Sequence, residues 1–227
     1  MLGTVELSTA LELQDELRSE VVARTDAHGT ILVCEHPPCV TIGREGSFAD
    51  ILVDREELTA RQMEIRWLNR GGGTFVHLPG QLSAYVIVPL DRLNQGLLDY
   101  RLALESSLLA TAADLKVPAE RGTRLAGATC RCGQFAFIGA AVRDWVTYGG
   151  VHVNVSLPQE ALDVVTWSDA DVRITSLSAQ RTRPTAMPTV RESLVRNLAK
   201  GLGYEDFHLY TGHPRLHRTT RKVYVYA

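Results

Sequence analysis

Residues 70–82 read RGGGTFVHLPGQL, with three consecutive glycines, a fourth at Gly80, and Arg70 and His77 set among them. Glycine lets a backbone turn sharply and approach a ligand closely. A run of such residues presents peptide N–H groups to an anion or to an acyl carbonyl. Arg70 adds a charged donor at the edge, and His77 can donate, accept or act as a base near neutral pH. The candidate binding residues of this run are Arg70, Gly71, Gly72, Gly73, Thr74, Phe75, Val76, His77, Gly80 and Gln81. The plainer alternative is a tight strand connection with a core histidine.

The other side chains with nucleophilic or metal-binding chemistry are the four cysteines, Cys34, Cys39, Cys130 and Cys132. With His36 they could be imagined around a metal, but C-x4-C and C-x-C spacings depart from the C-x2-C pairs of zinc sites. No metal and no cofactor is expected. Cys132 stands two residues before Gln134, so an extended strand would put both side chains on one face.

These groups need a scaffold, and the composition allows one. The chain has 227 residues, 45% hydrophobic and 22% charged, enough for one sizeable core. A formal charge of −2 gives no general attraction to nucleic acid, and the basic C-terminal residues Arg215, Arg218, Arg221 and Lys222 read as a solvated tail. No apolar run approaches the roughly 18 residues a membrane span needs. The acidic, amphipathic N-terminus is unlike a signal peptide, so a cytoplasmic location with reduced cysteines is expected. Lysine is scarce, with Lys116, Lys200 and Lys222 alone.

The spacing of Leu13, Leu17 and Val21 predicts a helix over residues 10–26, and TILVCEH a strand ended by Pro37 and Pro38. A short helix over REELTARQM, a strand over EIRWLNR and another over QLSAYVIVPL bracket the glycine run. A helix from Tyr100 to Leu115 follows, with Asp99 as its cap. Two β-rich runs come next. In the second, Val151, Val153 and Val155 share one face, with His152 and Asn154 on the other. A last helix opens near Pro188, with Thr189 and Glu192 as a capping box and Gly201 and Gly203 as its stop. The expected architecture is a single domain over residues 1–227, mixed α/β (α+β), with a largely antiparallel sheet.

The segments CEHPPCVTIGR and NRGGGTFVHLPGQLSAY, followed by FIGAAVRDWVTYGGVHVNV and ITSLSAQRTRPTAMPTV, occur in that order between residues 30 and 200. In this the chain resembles the lipoate-biosynthesis octanoyltransferases of the biotin and lipoate protein ligase superfamily. The resemblance implies a mixed sheet flanked by helices, with the glycine run lining an acyl pocket. It adds Phe137, Ile138, Gly139, Gly150, Val151 and His152 to the candidate binding residues. It implies transfer of an octanoyl group from acyl carrier protein to a lysine of lipoyl domains, in 2-oxoacid dehydrogenases or the glycine cleavage system. Neither nucleic acid nor membrane is implied as a partner. The family's route runs through an acyl-cysteine whose pKa a nearby lysine lowers.

Both reactive positions differ here. Gln134 stands where the resemblance places the lysine, and counting from flanking motifs puts the nucleophile at Trp167 or Ser168. An amide cannot stabilise a thiolate as an ammonium does. An indole forms no acyl-enzyme, and a serine needs a base that Asp169 or Asp171 would supply poorly. Further departures are Gly149 for a histidine, Asp144 for an arginine, and Val76 and Leu78 beside His77. Arg70, Gly71, Gly72, His77, Pro79, Gly80, Gln81, Ile138, Gly139 and Gly150 match. The expectation is an octanoyltransferase-like protein without the usual covalent route. It would use Cys132 as a relocated nucleophile, Ser168, or direct attack assisted by His77. The alternative is an inactive paralogue that binds an acyl group, acyl carrier protein or a lipoyl domain. An ATP-consuming ligase is disfavoured, since such relatives also rely on the lysine.

Overall fold

The computed structural model describes residues 1–166, 172–180 and 185–213. Two sheets meet face to face. The larger is built from β1 (Thr30–Cys34), β5 (Gln81–Ile87), β6 (Glu120–Arg121), β7 (Gly127–Cys130), β8 (Gly133–Arg143) and β9 (Val146–Asn154), in the order β1-β5-β9-β8-β7-β6. Every pairing in it is antiparallel. The smaller has β2 (Cys39–Ile42) at its centre, between β3 (Glu64–Trp67), which is parallel to it, and β4 (Thr74–His77), which is antiparallel. The expected mixed, largely antiparallel sheet flanked by helices is what forms.

One face of the large sheet is aliphatic and carries the main core. Leu82, Ala84 and Val86 of β5 and Val151 and Val153 of β9 pack there against α3 (Leu97–Asp114) and α5 (Met187–Gly201). In α3, Tyr100, Leu104, Leu108 and Ala112 recur every four residues, so one stripe of the helix is buried. The opposite face carries Gln81, Ser83, Tyr85, His152 and Asn154, because side chains alternate along a strand. The valine and histidine–asparagine faces expected of β9 are therefore the two faces observed. The small sheet and α1 (Leu7–Ala23) cover the polar face, with short α2 (Arg55–Ala60) and α4 (Gln159–Leu162) at the periphery.

Several boundaries differ from expectation for local reasons. Helix α1 starts at Leu7 and stops at Ala23, and Asp26 instead receives the Arg24 guanidinium. Asp99 lies inside the first turn of α3, where its carboxylate accepts from the N–H of Gly96, the true cap residue. Thr189 is likewise inside α5, and its N–H donates to Ala186 O, so it makes no capping box. Residues 74–77, expected within a glycine loop, are a strand. Cys132 falls in the two-residue turn between β7 and β8, where Cys130 pairs Gly133, so it does not share a strand face with Gln134.

Strands β8 and β9 are joined by Asp144 and Trp145, both with positive φ, at 54° and 58°. That is the backbone of a type I′ hairpin turn. Further along β9, Gly150 lies so close to β5 that a Cβ would sit 2.0 Å from Ala84 O. Gly150→Ala must push two hydrogen-bonded strands apart. It is expected to lower stability by about 1–3 kcal/mol or more, read as a lower denaturant midpoint.

Candidate functional site

Between the sheets a single run of hydrogen bonds crosses the molecule. Its start is Arg70, 4% exposed. Its Nη1 donates to the carbonyls of Gly71 and Gly73, both at 3.0 Å, and its Nη2 donates to Thr41 O at 3.1 Å and Thr41 Oγ1 at 2.6 Å. Thr41 Oγ1 is 2.8 Å from His77 Nε2, and His77 Nδ1 is 2.8 Å from Gln81 Oε1. Gln81 Nε2 donates to Val76 O and to Asn154 Oδ1, and Asn154 Nδ2 donates to Thr175 O at 3.0 Å. These partners fix the protons. Gln81 Oε1 can only accept, so His77 carries its proton on Nδ1, and Nε2 accepts from Thr41.

Burial and the charge of Arg70 act on the imidazoles. Desolvation holds His77 and His152 well below the ordinary histidine range, and Arg70 and neighbouring histidines add to it. His36 is pushed down to about 4, again chiefly by burial. Its Nδ1 donates to Val5 O at 2.7 Å, and its Nε2 accepts from Tyr85 OH at 2.6 Å. His152 meets Ser83 Oγ at 3.0 Å, and its ring lies 4.8 Å from that of His77. Burial brings Arg70 itself down to about 10.

Sulfur and imidazole do come together, at Cys34 Sγ and His36 Nε2, 3.6 Å apart. The electrostatics are the reverse of a reactive pair. Desolvation raises the Cys34 thiol to about 12 while the imidazole is kept neutral, and both residues are buried. A catalytic cysteine needs the thiolate.

The glycines are filled from within. The Phe75 ring lies under the Arg70 guanidinium, 3.9 Å from its Cζ. A Cβ on Gly139 would meet Phe75 Cε2 at 2.7 Å and Arg70 Cδ at 3.0 Å, and one on Gly72 would meet Phe75 Cζ at 2.9 Å. The ring also contacts Phe137 and His152, with centroids 5.6 and 5.5 Å away. Glycine here makes room for phenylalanine and arginine side chains. The loop amides are engaged too: Gly71 N–H donates to Ala140 O, and Gly72 N–H to the Glu45 carboxylate. Ile138 bonds Ala126 O along the same edge, and Val151 points into the helix-packed core. Thr74 donates to Asp50, and Gly80 N–H donates to Glu35.

Gln134 is 1% exposed. Its Nε2 donates to Ala136 O at 3.0 Å and Leu125 O at 3.4 Å, while its backbone pairs with Arg173 and Thr175. The described lysines, Lys116 and Lys200, lie after α3 and in α5. Cys132 is half-buried in its turn. Trp167, Ser168, Asp169 and Asp171 lie outside the described residues, as do the basic residues from Arg215 onward. Among the described residues no three His, Cys, Asp or Glu side chains gather as metal ligands would, and no helix is long and apolar enough to cross a membrane.

Two things were not visible in the sequence. Gln14 of α1 accepts from Gly149 N–H, closing with Leu7 and Leu11 over a cavity of about 90 Å³ beside Arg70, His77 and His152. A cleft of about 410 Å³ lies on the outer side of Gly71, Gly72 and Phe75, along the edge of β8. The candidate residues Gly71, Gly72, Phe75 and Ile138 mark one wall of the cleft, but its α3 wall and the roof of the cavity come from segments far apart in the chain.

The sequence profile of the lipoyl protein ligase A/B catalytic domain matches residues 6–199. The octanoyltransferase of Geobacter metallireducens is 36% identical over 196 residues, covering 85% of this chain and 87% of that protein. The mitochondrial octanoyltransferase LIP2 of Arabidopsis thaliana is 30% identical over 215 residues, covering 90% and 88%. Lipoate-protein ligase A bound with ATP superposes with a TM-score of 0.71 at 16% identity, covering 94% of this chain and 90% of that one. A bi-partite lipoate protein ligase of Thermoplasma acidophilum, described with its E2 lipoyl domain, gives 0.70 at 14%, covering 94% and 87%. The two structures establish the fold. The profile and the sequence relatives make the chain a member of the lipoyl protein ligase A/B catalytic domain family, on its octanoyltransferase side.

The buried histidines make stability depend on pH. Their folded pKa values lie below the unfolded value of about 6.5, so the unfolded chain binds more protons as the solution is acidified. Stability is full above about 6.5 and is lost as pH falls toward 4. His36 alone, at about 4 when folded, accounts for on the order of 3 kcal/mol at the acid end. Denaturant midpoints measured from pH 7.5 to 4 are expected to fall steeply, and His36→Gln to flatten that fall.

Proposed function

We propose that this chain acts in protein lipoylation as an octanoyltransferase-type protein, with residues 1–227 working as one domain. It takes an octanoyl group held as a thioester on acyl carrier protein, and its acceptor is a lysine of a lipoyl domain. The observation that carries this reading is the match across residues 6–199 to the family, with octanoyltransferases as full-length relatives.

The transfer in this reading is direct. The acceptor amine attacks the thioester carbonyl, the C–N bond forms, the C–S bond breaks, and the departing thiolate takes the proton that the amine loses. Thioesters are reactive enough for positioning to supply much of the acceleration. His77 does not fit the role of base, because both of its ring nitrogens are occupied by Thr41 and Gln81. Gln134 holds backbone carbonyls and brings no charge to a nucleophile. Cys132 remains the candidate for a relocated nucleophile.

Specific observations favour a second reading, that of a paralogue that binds the acylated carrier or the lipoyl domain without reaction. Phe75 covers Gly139, and the sulfur–imidazole contact of Cys34 and His36 has its charges suppressed. Incubation with octanoyl-acyl carrier protein and a lipoyl domain, followed by intact-mass measurement, separates the two. The expected result is octanoylated lipoyl domain with no stable adduct on this chain. The expected rate is about 100-fold or more below that of a relative with its cysteine and lysine. An adduct on Cys132, abolished by Cys132→Ser, would instead place the nucleophile in the β7–β8 turn. The absence of both products would leave the binding reading.

A further inference from the structure

We infer that Cys130 and Cys132, the two thiols at the β7–β8 turn, form a dithiol site that a small-molecule disulfide oxidises to an internal bridge. Such a site is independent of acyl transfer and would persist if that reading failed. The four cysteines divide by access. Cys34 and Cys39 are buried, at 3% and 6% exposure, and burial pushes the Cys34 thiol up to about 12. Cys130 and Cys132 are half-buried, with the exposed Arg131 between them. Thiol–disulfide exchange needs an accessible sulfur that can ionise, so the turn pair is the reactive one.

Turn geometry brings this pair within bridging reach. Cys130 faces Gly133 across the β7–β8 ladder, and Arg131 and Cys132 make the turn. Neither has a positive φ, which leaves a type I turn with Arg131 in the right-handed helical region. Two residues apart at helical pitch, the Cα atoms stand about 5.4 Å from each other. Disulfides take Cα separations of about 4.4–6.8 Å. A fully extended pair would span about 7 Å, at the limit where bridging fails.

The two sulfurs have distinct parts. Cys130 Sγ donates to Gly133 O at 3.2 Å. Burial raises its pKa, while the N–H groups of Cys132 and Gly133, aimed at the sulfur, pull the other way. Cys130 is thus kept as a thiol, and Cys132 attacks first. The Cys132 thiolate displaces one thiolate from the small disulfide and forms a mixed disulfide. Cys130 then attacks the Cys132 sulfur, closes the bridge and expels the second small thiol. The two amides hold the charge on Cys130 as it attacks. Two cysteine thiols are oxidised, one disulfide is reduced, and both protons leave on the small thiols. A ring closed over one intervening residue is strained, so a reducing thiol pool reopens it readily. The bridge stiffens the turn leading into Gln134, whose backbone joins Arg173 and Thr175.

The test exposes the full chain to oxidised glutathione, quenches in acid, alkylates the remaining thiols in denaturant and digests with trypsin. Cleavage after Arg131 separates the two cysteines, so peptides 125–131 and 132–143 stay joined only through a bridge. The expected result is that joined pair, parted by reductant, with Cys34 and Cys39 recovered as free thiols. Cys130→Ser is expected to trap one glutathione on Cys132, and Cys132→Ser to slow thiol loss about tenfold or more. Thermal midpoints check that both variants are folded. Separate peptides, with a stable glutathione on wild-type Cys132, would overturn the bridge. Four free thiols after exposure would overturn the site altogether.

Discussion

A buried guanidinium is the constraint on which the rest of this site depends. Arg70 is desolvated with no carboxylate bonded to it among the described residues, and three backbone carbonyls and a threonine hydroxyl receive its protons instead. Stranding such a charge costs several kcal/mol, so those carbonyls must stay where they are. Two belong to Gly71 and Gly73, which fixes the fold of the glycine run. The third, with the hydroxyl, belongs to Thr41, which ties the run to β2. Phe75 then packs beneath the same guanidinium. One charge thus sets the loop, the junction with the small sheet and the ring that covers Gly139.

From Arg70 the hydrogen bonds all point one way. Thr41, His77, Gln81 and Asn154 each accept on one side and donate on the other, ending at Thr175 O. Bonds in such a series polarise one another. The series leads to the segment that pairs with Gln134. The residues that match the family motif therefore serve here as a structural polar spine across the molecule.

Much of this was legible in the sequence. The long helices, the two faces of β9 and the order of the motif blocks follow from periodicity and turn chemistry. What was hidden is instructive. Strands β2 and β4 have four residues each and are buried throughout, so they show no alternation. Spacing alone put Cys132 on a strand, but the bulge and register of β7 against β8 leave it in the turn. Glycines in the run read as an opening for a ligand, because nothing in the sequence says that the Phe75 ring occupies the same space. The pairing of Cys34 with His36 joins near neighbours, yet its reversed electrostatics come chiefly from burial by distant elements, with Val5 O pulling His36 weakly the other way.

Helix α1 does more than fill the edge of the sheet. Its Gln14 reaches Gly149, and its Arg18 bonds Asp144 in the β8–β9 turn, while Leu7 and Leu11 roof the space over His77 and His152. The helix is in effect the waterproofing of the imidazole cluster. Were it to lift away, solvent would hydrate those rings, their affinity for protons would climb toward that of free imidazole, and new positive charge would gather beside Arg70. Below about pH 6.5 a polar interior that is quiet when dry would then repel itself, so the first two dozen residues set how much acid the centre of the molecule withstands.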